Sequence, residues 1–327
     1  MINTTKHKYI SQILKEWKLG VILYKVYYSP KNFLLRLFRK GIINTAVDHR
    51  AQQQMEQAAY KLKVVDNHDS ADSPLEIHFL TGRKFWYQTI FCAYSFAQHT
   101  NIPIRPIIYD DGSLDSKYQE EILRIFPEAK IILNAEIEEY INEHLPEHKF
   151  PYLRERRRLQ PHMKKITDIR VGSPGWKLVL DSDMLFFRTP EFLIDWLKSP
   201  QNPCYMVDVL NSYGYSNTLM TSLTQAEIPD RLNVGICGLN SDDIDWEQLE
   251  YWSKTMIDRE GTTYYMDQAL SAMLMSGKTC SIAPSDEYIA MPSREEGMQP
   301  HAIMHHYVDK SKPLYFRYGW KNVLKNS

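Results

Sequence analysis

The sequence predicts an α/β fold, a mostly parallel central sheet flanked by helices, with a helical N-terminal extension ahead of it. Three observations carry this reading. Between residues 75 and 181, apolar strand-like runs alternate with amphipathic helical stretches, as in successive βαβ units. At 327 residues, with 43% hydrophobic and 24% charged side chains, the chain is long and apolar enough to bury a substantial core. Two of the apolar runs end in closely spaced aspartates. In a parallel sheet these stand on the carboxyl-end rim, where α/β proteins bind ligands.

The first forty residues carry nine cations against the single acid Glu16, interleaved with Ile10, Ile13, Leu14, Trp17 and the run "FLLRLF". Basic and apolar groups at near-helical spacing suit an anionic membrane surface. Residues 1–70 are therefore expected to form a basic helical extension, with peripheral membrane contact through residues 1–40; plain packing with a solvated basic face is the alternative. "AQQQMEQAAYKLK" continues the helical pattern, "DNHDSADSP" reads as a linker, and the main domain is expected over 75–327. There "EIHFLT" (76–81) precedes a helix over 84–99, and "IRPIIYD" (104–110) precedes one over 115–126. "AKIIL" (129–133) precedes a helical 154–170, and "WKLVLD" (176–181) follows.

The formal net charge of −1 excludes a dedicated nucleic-acid binder, and no nucleic-acid partner is expected. Cys92, Cys204, Cys237 and Cys280 form no CxxC pair and read as reduced, buried thiols. No secretory signal or spanning helix is legible, and the expected location is cytoplasmic, at the inner membrane surface.

"KLVLDSDMLFF" (177–187) places Asp181 and Asp183 between two apolar runs. In an extended chain, residues i and i+2 point to one side, so both carboxylates face one point while Ser182 faces away. Carboxylates there need compensation, and a hard divalent cation, Mn²⁺ or Mg²⁺, shared with a diphosphate supplies it. Strand-end caps paired with the basic 154–165 segment are the plainer reading. The second DxD, Asp243 to Asp245, precedes an amphipathic helix and reads as its N-cap and first turn. Trp246 and Trp252 read as packing.

From about residue 75 to 320 the chain resembles nucleotide-sugar glycosyltransferases of the Rossmann-like GT-A fold. "LDSDMLFF" is similar to that fold's metal-binding DxD segment. "YDDGSLD" (109–115) resembles the acidic turn that contacts the nucleoside in inverting relatives, which implies that role for Asp110 and Asp111. "HHYVDKSKP" (305–313) resembles the C-terminal signature of the family 8 retaining transferases, the group of glycogenin. His306, Lys312 and Pro313 keep its spacing, while Asp309 and Leu314 replace its glycine and tryptophan. "LNVGICGLN" (232–240) and "MDQAL" (266–270) are similar to the strand and helix start that line the sugar and acceptor side.

The resemblance implies a metal-dependent hexosyl transferase. Its donor is expected to be a nucleotide-sugar, a UDP-sugar, and its acceptor a glycan, a lipid-linked glycan or a protein. Implied metal ligands are Asp181, Asp183 and His306, with Lys312 as a point charge on the diphosphate. From "RERRRLQPHMKK" (154–165), Arg156 and Lys164 are the candidates to reach the diphosphate. Asp267, Asn233 and Gln268 are the candidate catalytic groups. Asp267 acts as a general base in an inverting enzyme or orients the sugar in a retaining one, and the family 8 spacing implies retention. Two other classes share parts of the pattern. One is a non-catalytic sugar-nucleotide or membrane-surface binding protein. The other is a DxD phosphatase-type hydrolase, whose motif normally stands on the first strand and continues into Thr or Val; here three strands precede it and Met184 follows.

Overall fold

The computed structural model of the chain describes residues 42–65 and 73–325. The expected extension over residues 1–41 and most of the linker lie outside the described residues. The chain divides into two compact units between Gln54 and Met55, a boundary that falls within helix α1 (Ile42–Ala59). The larger unit holds both sheets. No helix among the described residues is long and apolar enough to cross a membrane.

The main sheet has seven strands: β1 (Leu75–Thr81), β2 (Ile104–Asp110), β3 (Lys130–Ile132), β4 (Trp176–Leu180), β6 (Cys204–Val207), β7 (Leu232–Asn240) and β8 (Ser281–Ile282). Their order is β3-β2-β1-β4-β7-β6-β8. Only β7 runs against its neighbours β4 and β6; the other pairings are parallel. The alternation thus yields the mostly parallel sheet, and β1, near its middle, buries Ile77 and Phe79 completely. Helix α2 (Trp86–Ala97) is buried almost all round, as a helix following a central strand must be. Helix α3 (Ser116–Ile125) buries only Ile122 and Ile125.

The stretch expected as one helix over 154–170 is three pieces: α5 (Pro151–Leu159), a 3₁₀ turn (Pro161–Met163) and α6 (Lys164–Arg170). Pro161 has no N–H to donate and its ring crowds the carbonyl of Arg157, so the helix stops and restarts. A helix unread in the sequence, α4 (Asn134–His144), precedes α5. Helix α7 (Glu191–Lys198) precedes β6, and α8 (Asn217–Thr224) follows it. Helix α9 (Trp246–Glu260) is capped by Asp245, whose carboxylate accepts from the Gln248 N–H at 3.0 Å. The second DxD is thus a cap, and Trp252 is buried with its indole N–H on the Leu223 carbonyl.

A second, three-stranded sheet orders β5 (Met184–Phe186), β10 (Met304–His306) and β9 (Tyr288–Ala290). The apolar run after the DxD thus leaves the main sheet: residues 182–183 form a turn between β4 and β5, not the extended geometry expected. Antiparallel pairing of β5 with β10 sets His306 opposite Met184, beside the turn. Helix α10 (Met266–Met275) packs on β7, and α11 (Arg294–Met298) precedes β10. The chain closes with α12 (Lys312–Leu314), a π turn (Tyr315–Gly319) and α13 (Trp320–Lys325).

Candidate active site

The turn between β4 and β5 brings Asp181 and Asp183 to the carboxyl-end rim, and β10 brings His306 onto them. Ligand atoms of the three lie within 4.8 Å of one another. His306 Nε2 is 3.6 Å from Asp181 Oδ2 and 3.2 Å from Asp183 Oδ1. The remaining oxygen of each carboxylate is taken by a lysine: Asp181 Oδ1 by Lys165 and Asp183 Oδ2 by Lys312. Each aspartate therefore turns one oxygen to a cation and the other to a shared point.

The neighbouring backbone is shaped around that imidazole. Against β6, the register of β7 jumps from Tyr205↔Cys237 to Met206↔Asn233, a bulge-like irregularity of the kind found beside binding sites. Within the skipped stretch the Gly235 carbonyl accepts from the Asp181 N–H at 2.9 Å. A Cβ on Gly235 would sit 2.5 Å from His306 Cε1 and 2.6 Å from Nδ1, so only glycine leaves room for the ring. Below the turn, buried Tyr315 donates from its hydroxyl to the Ser182 carbonyl at 3.2 Å, and Lys312 lies 5.6 Å from the centre of its ring.

Burial alone raises the pKa of the Asp183 carboxyl, but the charges of Lys312 and His306 outweigh it and hold the group well below the usual range. Lys165 is desolvated, which favours the neutral amine, yet the charges of Asp181 and Asp267 keep it a cation. Asp267, 7% exposed, is raised by burial; Lys165 and His162 oppose the rise and Asp181 adds to it. Lys165 thus pairs with the DxD turn and feels the charge of Asp267 at the start of α10.

The other expected residues fall as follows. Asp110 Oδ1 accepts from the N–H groups of Gly112, Ser113 and Leu114 at 2.8–3.0 Å, so one oxygen staples its loop. Asp111 accepts from Ser113 and lies so close over Gly82 that a Cβ there would collide with its carboxylate. Lys164 donates to the Asp111 carbonyl at 2.8 Å, so it supports that turn instead of reaching the aspartates. Arg156 pairs with Glu155 at 3.0 Å and makes no ion pair with Asp181 or Asp183 among the described residues. Asn233 folds onto its own strand, accepting from the Gly235 N–H at 2.8 Å. Gln268 reaches Asp208 at 3.4 Å, at the end of β6.

Sequence reasoning missed Lys165, Asp208 and Tyr315. The signal for Lys165 was its place in the basic 154–165 segment, the expected pairing partner of the aspartates, without the residue being singled out; Asp208 and Tyr315 carried none.

The fit to a divalent cation is testable on the protein alone. Both ring nitrogens of His306 are buried and neither is satisfied by a well-formed hydrogen bond, Nε2 having the 3.2 Å ion-pair contact to Asp183. Orphaned buried nitrogens are rare, and a metal at the shared point satisfies Nε2. Two carboxylate oxygens and one imidazole suit Mn²⁺ better than Mg²⁺, which seeks all-oxygen octahedra.

No protein-family model matches the sequence, and no curated protein matches it. Among solved structures, galactosyltransferase LgtC in complex with donor and acceptor sugar analogues is similar over 77% of this chain and 94% of its own, at 16% identity and a TM-score of 0.51. Mouse xyloside xylosyltransferase 1, in its apo form, aligns over 71% of this chain and 98% of its own, at 10% identity and a TM-score of 0.48. The likeness to LgtC gives the fold: this chain has the GT-A architecture.

Proposed function

We propose that the chain is a metal-dependent glycosyltransferase that moves a sugar from a nucleoside diphosphate donor, a UDP-sugar, to a hydroxyl of a glycan, lipid-linked or protein acceptor. One observation carries the reading: at the rim of a GT-A fold, two aspartates each give one oxygen to a lysine and the other to a point shared with an orphaned imidazole.

Asp181, Asp183 and His306 would hold the divalent ion, and Lys165 and Lys312 would turn from the aspartates to the phosphates. When bound, the ion offsets the charge that develops on the departing diphosphate. Lys312, held by the C-terminal helices, and Lys165, held by α6, add fixed positive charge at the same oxygens. The bond from the anomeric carbon to the β-phosphate oxygen breaks, and its electron pair leaves with the diphosphate. The acceptor oxygen bonds the anomeric carbon and its proton passes to the medium. Asp267 and Gln268 orient sugar and acceptor, Asn233 lines the sugar side, and the Asp110–Asp111 turn takes the nucleoside. Retention is part of this reading, on the spacing of His306, Lys312 and Pro313.

Thermal unfolding with UDP, with Mn²⁺ and with both tests it. Ligand at a hundred times its Kd adds about 2.7 kcal/mol, which raises the midpoint by roughly 5 °C or more. The expected shift needs both components and is lost in Asp183→Ala. No joint shift with UDP or any other nucleoside diphosphate would leave the aspartates as strand-end structure.

A further inference from the structure

Beside Lys165 and Asp267, five large apolar side chains stand out into solvent. Val209 is 47% and Leu210 68% exposed just after Asp208, Leu159 is 62% exposed at the end of α5, and Tyr264 and Tyr265 are 64% and 44% exposed just before Asp267. Single exposed apolar residues need no explanation, but a cluster does. These come from three loops that interlock at Thr263. Gln160 donates to the Thr263 carbonyl, and a Cβ on Gly214 would collide with the Thr263 side chain. Gln268 ties Asp208 to the start of α10. The Tyr264 hydroxyl meets His162 Nε2 at 2.6 Å, and the two tyrosine rings pack edge to face at 5.3 Å. The apolar surface therefore begins where the candidate sugar-transfer groups end.

We propose that this surface is the apolar half of the acceptor site. The acceptor is amphiphilic, with its reacting hydroxyl at Asp267 and Gln268 and an alkyl or lipid-type carrier across Val209, Leu210 and Tyr264. The inference deepens the glycosyltransferase reading and rests on it. A free sugar rimmed with hydroxyls would meet a leucine and a valine without hydrogen-bond capacity at the place where it needs partners; an alkyl chain removes both from water. The sequence adds an independent pointer. Its first forty residues combine nine cations with interleaved apolar groups, a composition suited to an anionic bilayer, where lipid-borne acceptors reside.

The test uses the full chain with UDP and Mn²⁺ present. Hexyl, heptyl and octyl β-glucosides, with glucose, maltose and lactose as the uncarried controls, are titrated calorimetrically below their micellar concentrations. Affinity is expected to rise about fourfold per methylene, and the Val209→Ser/Leu210→Ser double variant flattens that series while keeping the joint UDP and Mn²⁺ thermal shift. A series independent of chain length, or disaccharides binding as tightly as octyl glucoside with the thermal shift intact, overturns this inference alone. Absence of the thermal shift from the wild type overturns the transferase reading, and this inference with it.

Discussion

Lys164 and Lys165 are adjacent in sequence and do different work. Lys164 hydrogen-bonds the Asp111 carbonyl and reaches Asp168 only at 4.0 Å, whereas Lys165 pairs with Asp181. Successive helical side chains diverge by about 100°, so one residue decides which turn a cation serves. Lys165→Met is expected to weaken binding of UDP with Mn²⁺ about ten- to a hundredfold, the scale of a lost charge-assisted contact. Lys164→Met keeps Asp181 fully paired and should change it by less than about threefold. Isothermal titration of both variants decides; equal losses would place the two lysines in one role and remove Lys165 from its special position.

Elements, more than residues, assemble the site. The β4–β5 turn supplies the carboxylates, β10 the imidazole, α6 and α12 the lysines, and β7 the gap for His306. Gly235→Ala is expected to cost about 1–3 kcal/mol of stability through overpacking and to abolish the Mn²⁺-dependent part of the thermal shift, because the added methyl occupies the space of the ring. Circular dichroism melts with and without Mn²⁺ separate the two effects. An undiminished metal increment in a folded variant would remove His306 from the ligand set. The strands that built the main sheet were legible because each is an apolar run of local period, and the acidic pairs were legible because parallel strands end on one rim. The small sheet was not: β5, β9 and β10 are three residues each, too short to show a period, and the pairing of β5 with β10 joins segments more than a hundred residues apart. His306 was reached only through its spacing to Lys312. The basic segment 154–165 points to a cation near the aspartates, but which of its residues gets there depends on the break at Pro161, which resets the register of every later side chain. Asp208 had no motif around it; its position follows from the strand order.

At the scale of the whole molecule the charges nearly cancel at pH 7, with a formal net charge of −1, so near neutrality general repulsion is small and buried titrating groups set the first response to falling pH. His78, on β1, is 6% exposed. Burial, then the charges of Lys177 and Arg170, lower its pKa from 6.5 to about 3; the Tyr109 hydroxyl lies 3.4 Å from its Nδ1. The native imidazole stays neutral where the unfolded one is protonated. The unfolded chain therefore binds more protons between pH 6.5 and 3, and stability falls as pH falls through that window. At pH 5 the loss from this group is about 2 kcal/mol. Glu296 acts with the same sign lower down. Burial raises it, but the N–H groups of Ala302 and His301, with His305, bring it to about 2 from 4.5, so its contribution disappears as pH falls below 4.5. Asp267, raised by burial, works the other way near its own range. A comparison that isolates His78 is thus more informative than a single acid melt. Urea midpoints at pH 7, 6, 5 and 4 are expected to fall for the wild type from just below pH 6.5. For His78→Gln, which keeps a partner for Tyr109 and cannot titrate, they should fall less steeply over that range, the remaining slope coming from His99 and His305, whose pKa values burial also lowers, and at the low end from the carboxylates. Parallel curves for the two proteins would mean that His78 takes up its proton in the folded state, and that the cations around it do not govern its charge.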